Sequence, residues 1–252
     1  MMNHLYILTG ASRGMGLAMA EQLITRQNQL LCISRQSNPA LPKLAESLGC
    51  SVTQWCADLA EPAPVANALI AWLSALDPKA LSSATLINNA GMIPSLVPLR
   101  SADANETMQA LRVGLEAPMQ LTAAFLKATR ALTVPRKVLN ISSGLGRRPM
   151  ASQSAYCAAK AGMDHFTRCL ALDEATQSNG AKVCSLAPGV IDTDMQKQLR
   201  GAKPDDFPDR VGFEQLKQTG QLTTPHNAAK RVLAWLGRAD FGQNPVADVR
   251  DA

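Results

Sequence analysis

The sequence predicts a single doubly wound α/β domain: a mainly parallel seven-stranded sheet with helices on both faces. Short apolar runs alternate with longer helical patterns from one end of the chain to the other, the pattern of successive β-α-β units. No internal repeat or interdomain linker divides the 252 residues, a length that suits one domain with a full core. Right-handed crossovers then put any ligand crevice at the carboxyl ends of the strands.

Residues 5–8, Leu-Tyr-Ile-Leu, read as a buried strand, followed by glycine punctuation and an amphipathic helix over about 17–26. A second strand is expected over 30–34, a short helix over 41–48 and a third strand over 51–57. Pro62 suits the first turn of a helix over 62–76. The fourth strand, 85–87, runs into Asn88-Asn89-Ala90-Gly91, and a long helical segment follows over 102–131. A fifth strand at 138–142, a second long helix at 153–177 and a sixth strand at 182–186 lead to Pro188-Gly189. A helix over 225–236 and a short strand over 245–248 close the chain. The Pro- and charge-rich stretch 197–221 has no clear period and is expected to be a mobile substrate flap.

Composition narrows the function classes. The formal charge is +5, but the basic residues are scattered and aromatics are only 4% of the chain, so no nucleic-acid footprint is visible. The positive surplus reads as a solvated surface with a local anion site. No apolar run reaches eighteen residues, and no membrane span is expected. The N-terminus enters an apolar strand with no basic region or cleavage site before it, which predicts a cytoplasmic protein. None of the cysteines at 32, 50, 56, 157, 169 and 184 forms a C-x-x-C pair, so reduced, partly buried thiols are expected. His4, His165 and His226 are far apart and make no ligand pattern; no metal site is expected.

Two segments carry chemistry. Thr9-Gly10-Ala11-Ser12-Arg13-Gly14-Met15-Gly16 lies between the first strand and first helix, spaced G-x-x-x-G-x-G. Glycine is needed where backbone turns sharply or approaches a pyrophosphate, and the following helix aims its free N–H groups at phosphate. An NAD site usually carries an acidic residue about twenty residues further on, to bind the ribose 2′-hydroxyl. No Asp or Glu occurs between Glu21 and Glu46; Ser34-Arg35 ends the second strand and Arg13 sits in the glycine loop. Two guanidinium groups and a hydroxyl suit a 2′-phosphate, so NADP(H) is the expected cofactor.

The second segment is Tyr156-Cys157-Ala158-Ala159-Lys160, at the start of the second long helix. Residues four apart share a helix face, so the Lys160 ammonium is expected near the Tyr156 ring, lowering the tyrosine pKa and fitting it to act as a general acid.

Taken together, Thr9–Gly16, Asn88–Gly91, Ser143, Tyr156/Lys160 and Pro188-Gly189 occur in the order and spacing of the short-chain dehydrogenases/reductases, and the chain resembles that family over nearly its whole length. The resemblance implies a Rossmann-type fold and hydride transfer between a nicotinamide cofactor and a carbonyl. It assigns Ser143, thirteen residues before Tyr156, to the substrate carbonyl. Tyr156 becomes the proton donor, and Lys160 the group that holds the nicotinamide ribose and tunes the tyrosine. By the same likeness Gly10, Ser12, Arg13, Gly14, Met15 and Gly16 hold the phosphates, and Asp58 and Leu59 flank the adenine. Asn89, Ala90 and Gly91 line the adenine-ribose side. Pro188, Gly189, Val190, Ile191 and Thr193 cover the nicotinamide.

One position departs from the family pattern. Val113-Gly114-Leu115-Glu116-Ala117-Pro118 has Gly114 where the family has an asparagine that holds a proton-relaying water. Water filling the vacated space is the expectation; an NADP(H)-binding regulator with weak or lost turnover is the alternative. Within the family, Asp192-Thr193-Asp194-Met195-Gln196 and the tail 240–248 are most similar to the sepiapterin and bacterial benzil reductase branches. That similarity implies a vicinal diketone or a pterin-type side-chain ketone as substrate. It makes Asp248 a candidate substrate anchor, against an exposed terminal carboxylate. Arg147 and Arg148 select an acidic substrate or are rim charges. The helices over 102–131 and 153–177 form the dimer bundle in relatives, which implies a homodimer or homotetramer.

Overall fold

A computed structural model describes residues 3–251. Seven strands, β1 (Asn3–Thr9), β2 (Asn28–Ser34), β3 (Val52–Cys56), β4 (Leu81–Asn88), β5 (Arg136–Ile141), β6 (Lys182–Ala187) and β7 (Val246–Asp248), form one sheet. Its order is β3-β2-β1-β4-β5-β6-β7 and every pairing is parallel, where a mainly parallel sheet was expected. The chain winds outward from β1 to β3, then returns to the other side of β1 at β4. This topological switch opens a crevice beyond Thr9 and Asn88.

The strand sequences explain why both faces are covered. Successive side chains point to opposite faces. Leu5, Ile7, Leu31, Ile33, Leu86 and Val138 therefore enter one apolar cluster, while Leu8, Leu30, Cys32, Ile87 and Leu139 enter the other. The first cluster is closed by α3 (Pro62–Ser74), α5 (Ala117–Ala128) and α6 (Ser154–Ala175). The second is closed by α1 (Gly14–Leu23), α2 (Ala40–Ser47) and α9 (Pro225–Leu236). Each fully buried Leu, Ile or Phe contributes roughly 1.5–3 kcal/mol.

Two expectations change. The helical run 102–131 is α4 (Ala104–Leu111), a π-helical turn over Arg112–Glu116, and α5, with Gly114 buried inside the π turn. The stretch 197–221 carries regular structure: α7 (Asp194–Arg200) runs into it and α8 (Arg210–Gln218) lies within it. A loop residue between them, Phe207, is fully buried and stacks on Phe213 at 5.7 Å between ring centroids. Two aromatic anchors thus hold a segment too short and polar for its helices to show as a period. Among the described residues no helix is long and apolar enough to cross a membrane.

Candidate active site

The glycine loop is shaped by backbone that a Cβ would obstruct. Gly10 has φ +70°, and a Cβ there would stand 2.9 Å from Ala90 Cα. Gly14 has φ +57°, and a Cβ on Gly16 would stand 2.0 Å from the Gly10 carbonyl oxygen. Thr9 and Asn89 lock this turn to β4. The Thr9 hydroxyl oxygen accepts from the backbone N–H groups of Asn89 (2.9 Å) and Ala90 (3.0 Å), and Asn89 Nδ2 donates to the carbonyls of Thr9 (2.9 Å) and Gly10 (3.2 Å). Ser34 Oγ accepts from the Ala11 N–H at 2.8 Å, so Ser34 braces the loop as well as bordering the cavity. Helix α1 begins with no side-chain cap and no acid in its first turn, leaving its positive end open to an anion.

Arg13 and Arg35 are both exposed at this end of the cavity. Arg13 makes a loose ion pair with Asp194 at 3.8 Å, and Arg35 has no ion pair among the described residues. The 188–193 segment closes the opposite wall: a Cβ on Gly14 would meet Thr193 Cγ2 at 3.6 Å.

At the other end, β5 delivers Ser143 and α6 delivers Tyr156 and Lys160. Tyr156 and Lys160 are buried, and Lys160 Nζ lies 5.7 Å from the Tyr156 ring centroid. Nζ also donates to the Ile141 carbonyl at 2.7 Å. Burial pushes the Lys160 pKa down to about 8, opposed by the negative charge of Asp164. The expected lowering of the Tyr156 pKa is corrected. Burial raises it above the ordinary tyrosine value, and a hydrogen bond with the Ser143 hydroxyl offsets part of that rise. The i,i+4 spacing places the cation but does not register the desolvation that sets the direction of the shift. Ser143 Oγ accepts from the Leu145 N–H at 3.2 Å, so its own proton is directed to the Tyr156 oxygen or to a ligand beside it.

With the exception of Arg147, every side chain singled out from the sequence for cofactor, catalysis or substrate borders one cavity of about 940 Å³. Asp248 does so too, and not as an exposed terminal carboxylate. It is buried, and Arg250 holds it through Nε (2.7 Å) and a second guanidinium nitrogen (2.6 Å), keeping its carboxyl below the usual range. Nor is Arg147 a rim charge. It pairs with buried Asp164 at 3.2 Å and donates to the Ala247 carbonyl at 2.7 Å.

Two residues were missed. Asp164, on the same face of α6 one turn beyond Lys160, accepts from the hydroxyls of Ser142 (2.6 Å) and Ser185 (2.7 Å) as well as from Arg147. Its signal was available: an acid continuing the Tyr156–Lys160 stripe at the same interval. Gln153 borders the cavity three residues before Tyr156, and neither atom of its buried amide has a partner among the described residues. A buried amide left unpaired costs about 1–3 kcal/mol, and nothing local in the sequence foretells it.

At Gly114, a Cβ would meet Ala159 Cβ at 3.0 Å. Helix α6 occupies part of the room expected for a relaying water, because two small residues let the π turn and α6 approach closely. Among the described residues no group of three metal-ligating side chains occurs. The six cysteines are free; burial pushes the Cys32 thiol up to about 12 and that of Cys184 to about 11, far from thiolate chemistry.

A model of the short chain dehydrogenase family matches residues 4–204. Benzil reductase ((S)-benzoin forming) from Bacillus cereus is 36% identical over 240 residues, which span 95% of this chain and 96% of the relative. Sepiapterin reductase from Rattus norvegicus is 32% identical over 256 residues, spanning 97% of this chain and 95% of that one. Among solved structures, the KRED1-Pglu enzyme superposes with a TM-score of 0.79 at 25% identity, covering 97% of this chain and 100% of the other.

Proposed function

From the premise that this chain belongs to the short chain dehydrogenase family of oxidoreductases, we propose that it is an NADPH-dependent carbonyl reductase with Tyr156 as proton donor. The observation that carries this reading is the shared cavity, with a glycine-shaped anion cradle at one end and Ser143, Tyr156 and Lys160 at the other.

The cradle fits a dinucleotide. The close approaches at Gly10 and Gly16 leave bare backbone and an uncapped helix end facing the cavity, where phosphates would lie. Arg13 and Arg35 would take the 2′-phosphate, with Asp58 and Leu59 beside the adenine and the 188–193 segment against the nicotinamide. When bound, NADPH supplies the hydride.

This chain's own groups supply the rest. Negative charge develops on the substrate oxygen as its carbonyl carbon is reduced. Ser143 donates a hydrogen bond to that oxygen, and Tyr156 donates one and then transfers its proton. The ammonium of Lys160 favours the phenolate that remains. Ile93, Leu96, Leu199 and Phe207 pack around Tyr156 and keep bulk water from the reacting groups.

The likeness to benzil and sepiapterin reductases supports a vicinal diketone or a pterin-type side-chain ketone as substrate. The diketone is favoured, because the Asp248 carboxylate is already bonded to Arg250 and a pterin would have to share it. Exposed Met108, Met119 and Leu172 on α4, α5 and α6 support association of copies through those helices.

The test is NADPH oxidation with benzil, diacetyl and sepiapterin, comparing the unaltered protein with Tyr156→Phe. Loss of a positioned general acid should cost about 10²–10⁴-fold in turnover. Equal rates in the two proteins would overturn Tyr156 as the donor. Tight NADPH binding with no turnover on any carbonyl would replace this reading with that of a regulator, the alternative that Gly114 favours.

A further inference from the structure

We propose that Gln153 is a substrate-specificity residue whose side-chain amide receives the second oxygen of a neutral vicinal dicarbonyl. The inference rests on the carbonyl reductase reading and names the substrate feature that this site selects.

Gln153 is 1% exposed and borders the cavity, yet neither its Oε1 nor its Nε2 meets a protein partner among the described residues. It stands at the N-cap position of α6, where a polar side chain commonly bonds the first free N–H groups, but it makes no capping bond. Only its backbone is engaged: its carbonyl accepts from the Cys157 N–H at 2.8 Å. A buried donor and acceptor with no internal partner is rare in a folded protein and points to a role outside packing.

The local backbone holds the side chain there. Ser152 has φ +59°, in the left-handed region that a serine seldom adopts, and its hydroxyl donates to the Asp206 carbonyl in the loop between α7 and α8. The turn that carries Gln153 is thus tied to the segment covering the site. Backbone strain of this kind persists only where its surroundings enforce it, and it clusters at ligand sites.

The chemistry of the ligand follows from the chemistry of the amide. Gln153 lies three residues before Tyr156, a spacing that puts two side chains on the same side of a helix start. A carbonyl oxygen between Ser143 and Tyr156 therefore has Gln153 to one side. A second oxygen on the adjacent carbon would accept from Nε2, and a hydroxyl there would donate to Oε1. An uncharged amide suits a neutral oxygen; a carboxylate would call for a buried cation besides Lys160, which the proposed reading commits to the nicotinamide ribose and Tyr156, and Arg148, which also borders the cavity, is exposed. The selected class is the 1,2-diketone or α-hydroxyketone, not the α-keto acid and not the simple ketone. A site built to pair such an oxygen rejects the analogue that lacks it.

The experiment compares benzil, the matched monoketone deoxybenzoin and the keto acid benzoylformate, using the unaltered protein, Gln153→Leu and Gln153→Met. It reads kcat/KM at saturating NADPH, and the affinity for benzil and deoxybenzoin of protein saturated with NADP⁺, by calorimetry. The expected result is at least a tenfold fall in the benzil-to-deoxybenzoin ratio, in kcat/KM and in affinity, with Tm unchanged or raised in both variants. Equal losses on the two ketones would overturn the assignment, as would a lowered Tm, which would mark Gln153 as a packing residue. A preference of the unaltered protein for benzoylformate that vanishes in Arg148→Ala would overturn it too. Should neither ketone be reduced, the carbonyl reductase reading fails, while the affinity ratio still decides the role of Gln153; if neither ketone binds, the assignment falls as well.

Discussion

Asp164→Asn should move the alkaline limb of the pH–rate profile downward. The substitution keeps the side chain's shape and removes one negative charge from the face of α6 one turn beyond Lys160. Side chains four residues apart on a helix lie about 6 Å apart, and at an effective dielectric constant of about 20 two unit charges at that distance interact by about 2.8 kcal/mol. Arg147 shares the same carboxylate at 3.2 Å and cancels part of its field. Half of the attraction, about 1.4 kcal/mol, corresponds to about one pH unit. The ammonium of Lys160 is the working form, and burial holds its pKa at about 8 with Asp164 pulling the other way. Activity in the unaltered protein should therefore fall as pH rises through about 8, and in Asp164→Asn through about 7. The assay is kcat/KM for NADPH-dependent ketone reduction across pH 5.5–9.5, with circular dichroism to confirm that the variant is folded. A folded variant whose limb stays near pH 8 would refute the electrostatic link between Asp164 and Lys160. A loss of activity of the same factor at every pH would assign Asp164 a purely structural role through Ser142, Ser185 and Arg147.

Three further outcomes follow from the same geometry. Lys160→Met should abolish most turnover yet raise Tm at pH 7, because a buried ammonium with a depressed pKa costs stability wherever it is protonated. That penalty is complete below pH 8 and fades as pH rises towards the unfolded value near 10.4, so the Tm gap between the two proteins, read by scanning calorimetry, should narrow over that range. Arg13→Ala and Arg35→Ala should each raise the KM for NADPH about three- to tenfold and leave the KM for NADH within twofold, with the effect shrinking in high salt because both groups are exposed; equal effects on the two cofactors would reject the 2′-phosphate role. Gly114→Asn should lower stability by about 1–3 kcal/mol through overpacking against Ala159, and Ala159→Gly in the same chain should restore much of it in a denaturant titration; an undiminished loss in the double variant would show that the contact is not the cause.

Much of this protein was legible without a structure. Short continuous apolar runs and the spacing of the helical segments prescribe a doubly wound parallel sheet, because each strand must bury two faces and each crossover must run the same way. The glycine loop, the acid-free stretch before Glu46 and the Tyr156–Lys160 interval are local patterns, and local patterns survive in one dimension. What sequence could not supply were the quantities set by atoms distant in the chain. The Tyr156 pKa moves opposite to the expectation, since desolvation depends on everything packed around the phenol. The carboxylate of Asp248 is already held by Arg250, Gly114 faces Ala159, and the α7–α8 segment is anchored by Phe207. Gln153 stands apart, because an unpaired amide is defined by the absence of neighbours, which no motif encodes. The linear chain determined which elements form and which chemical groups are on offer; only their convergence in space decided which groups are charged, which are spent on one another and which are left to meet a ligand. Burial and hydrogen bonding are many-body properties of the packed state, and that is the physical reason for the division.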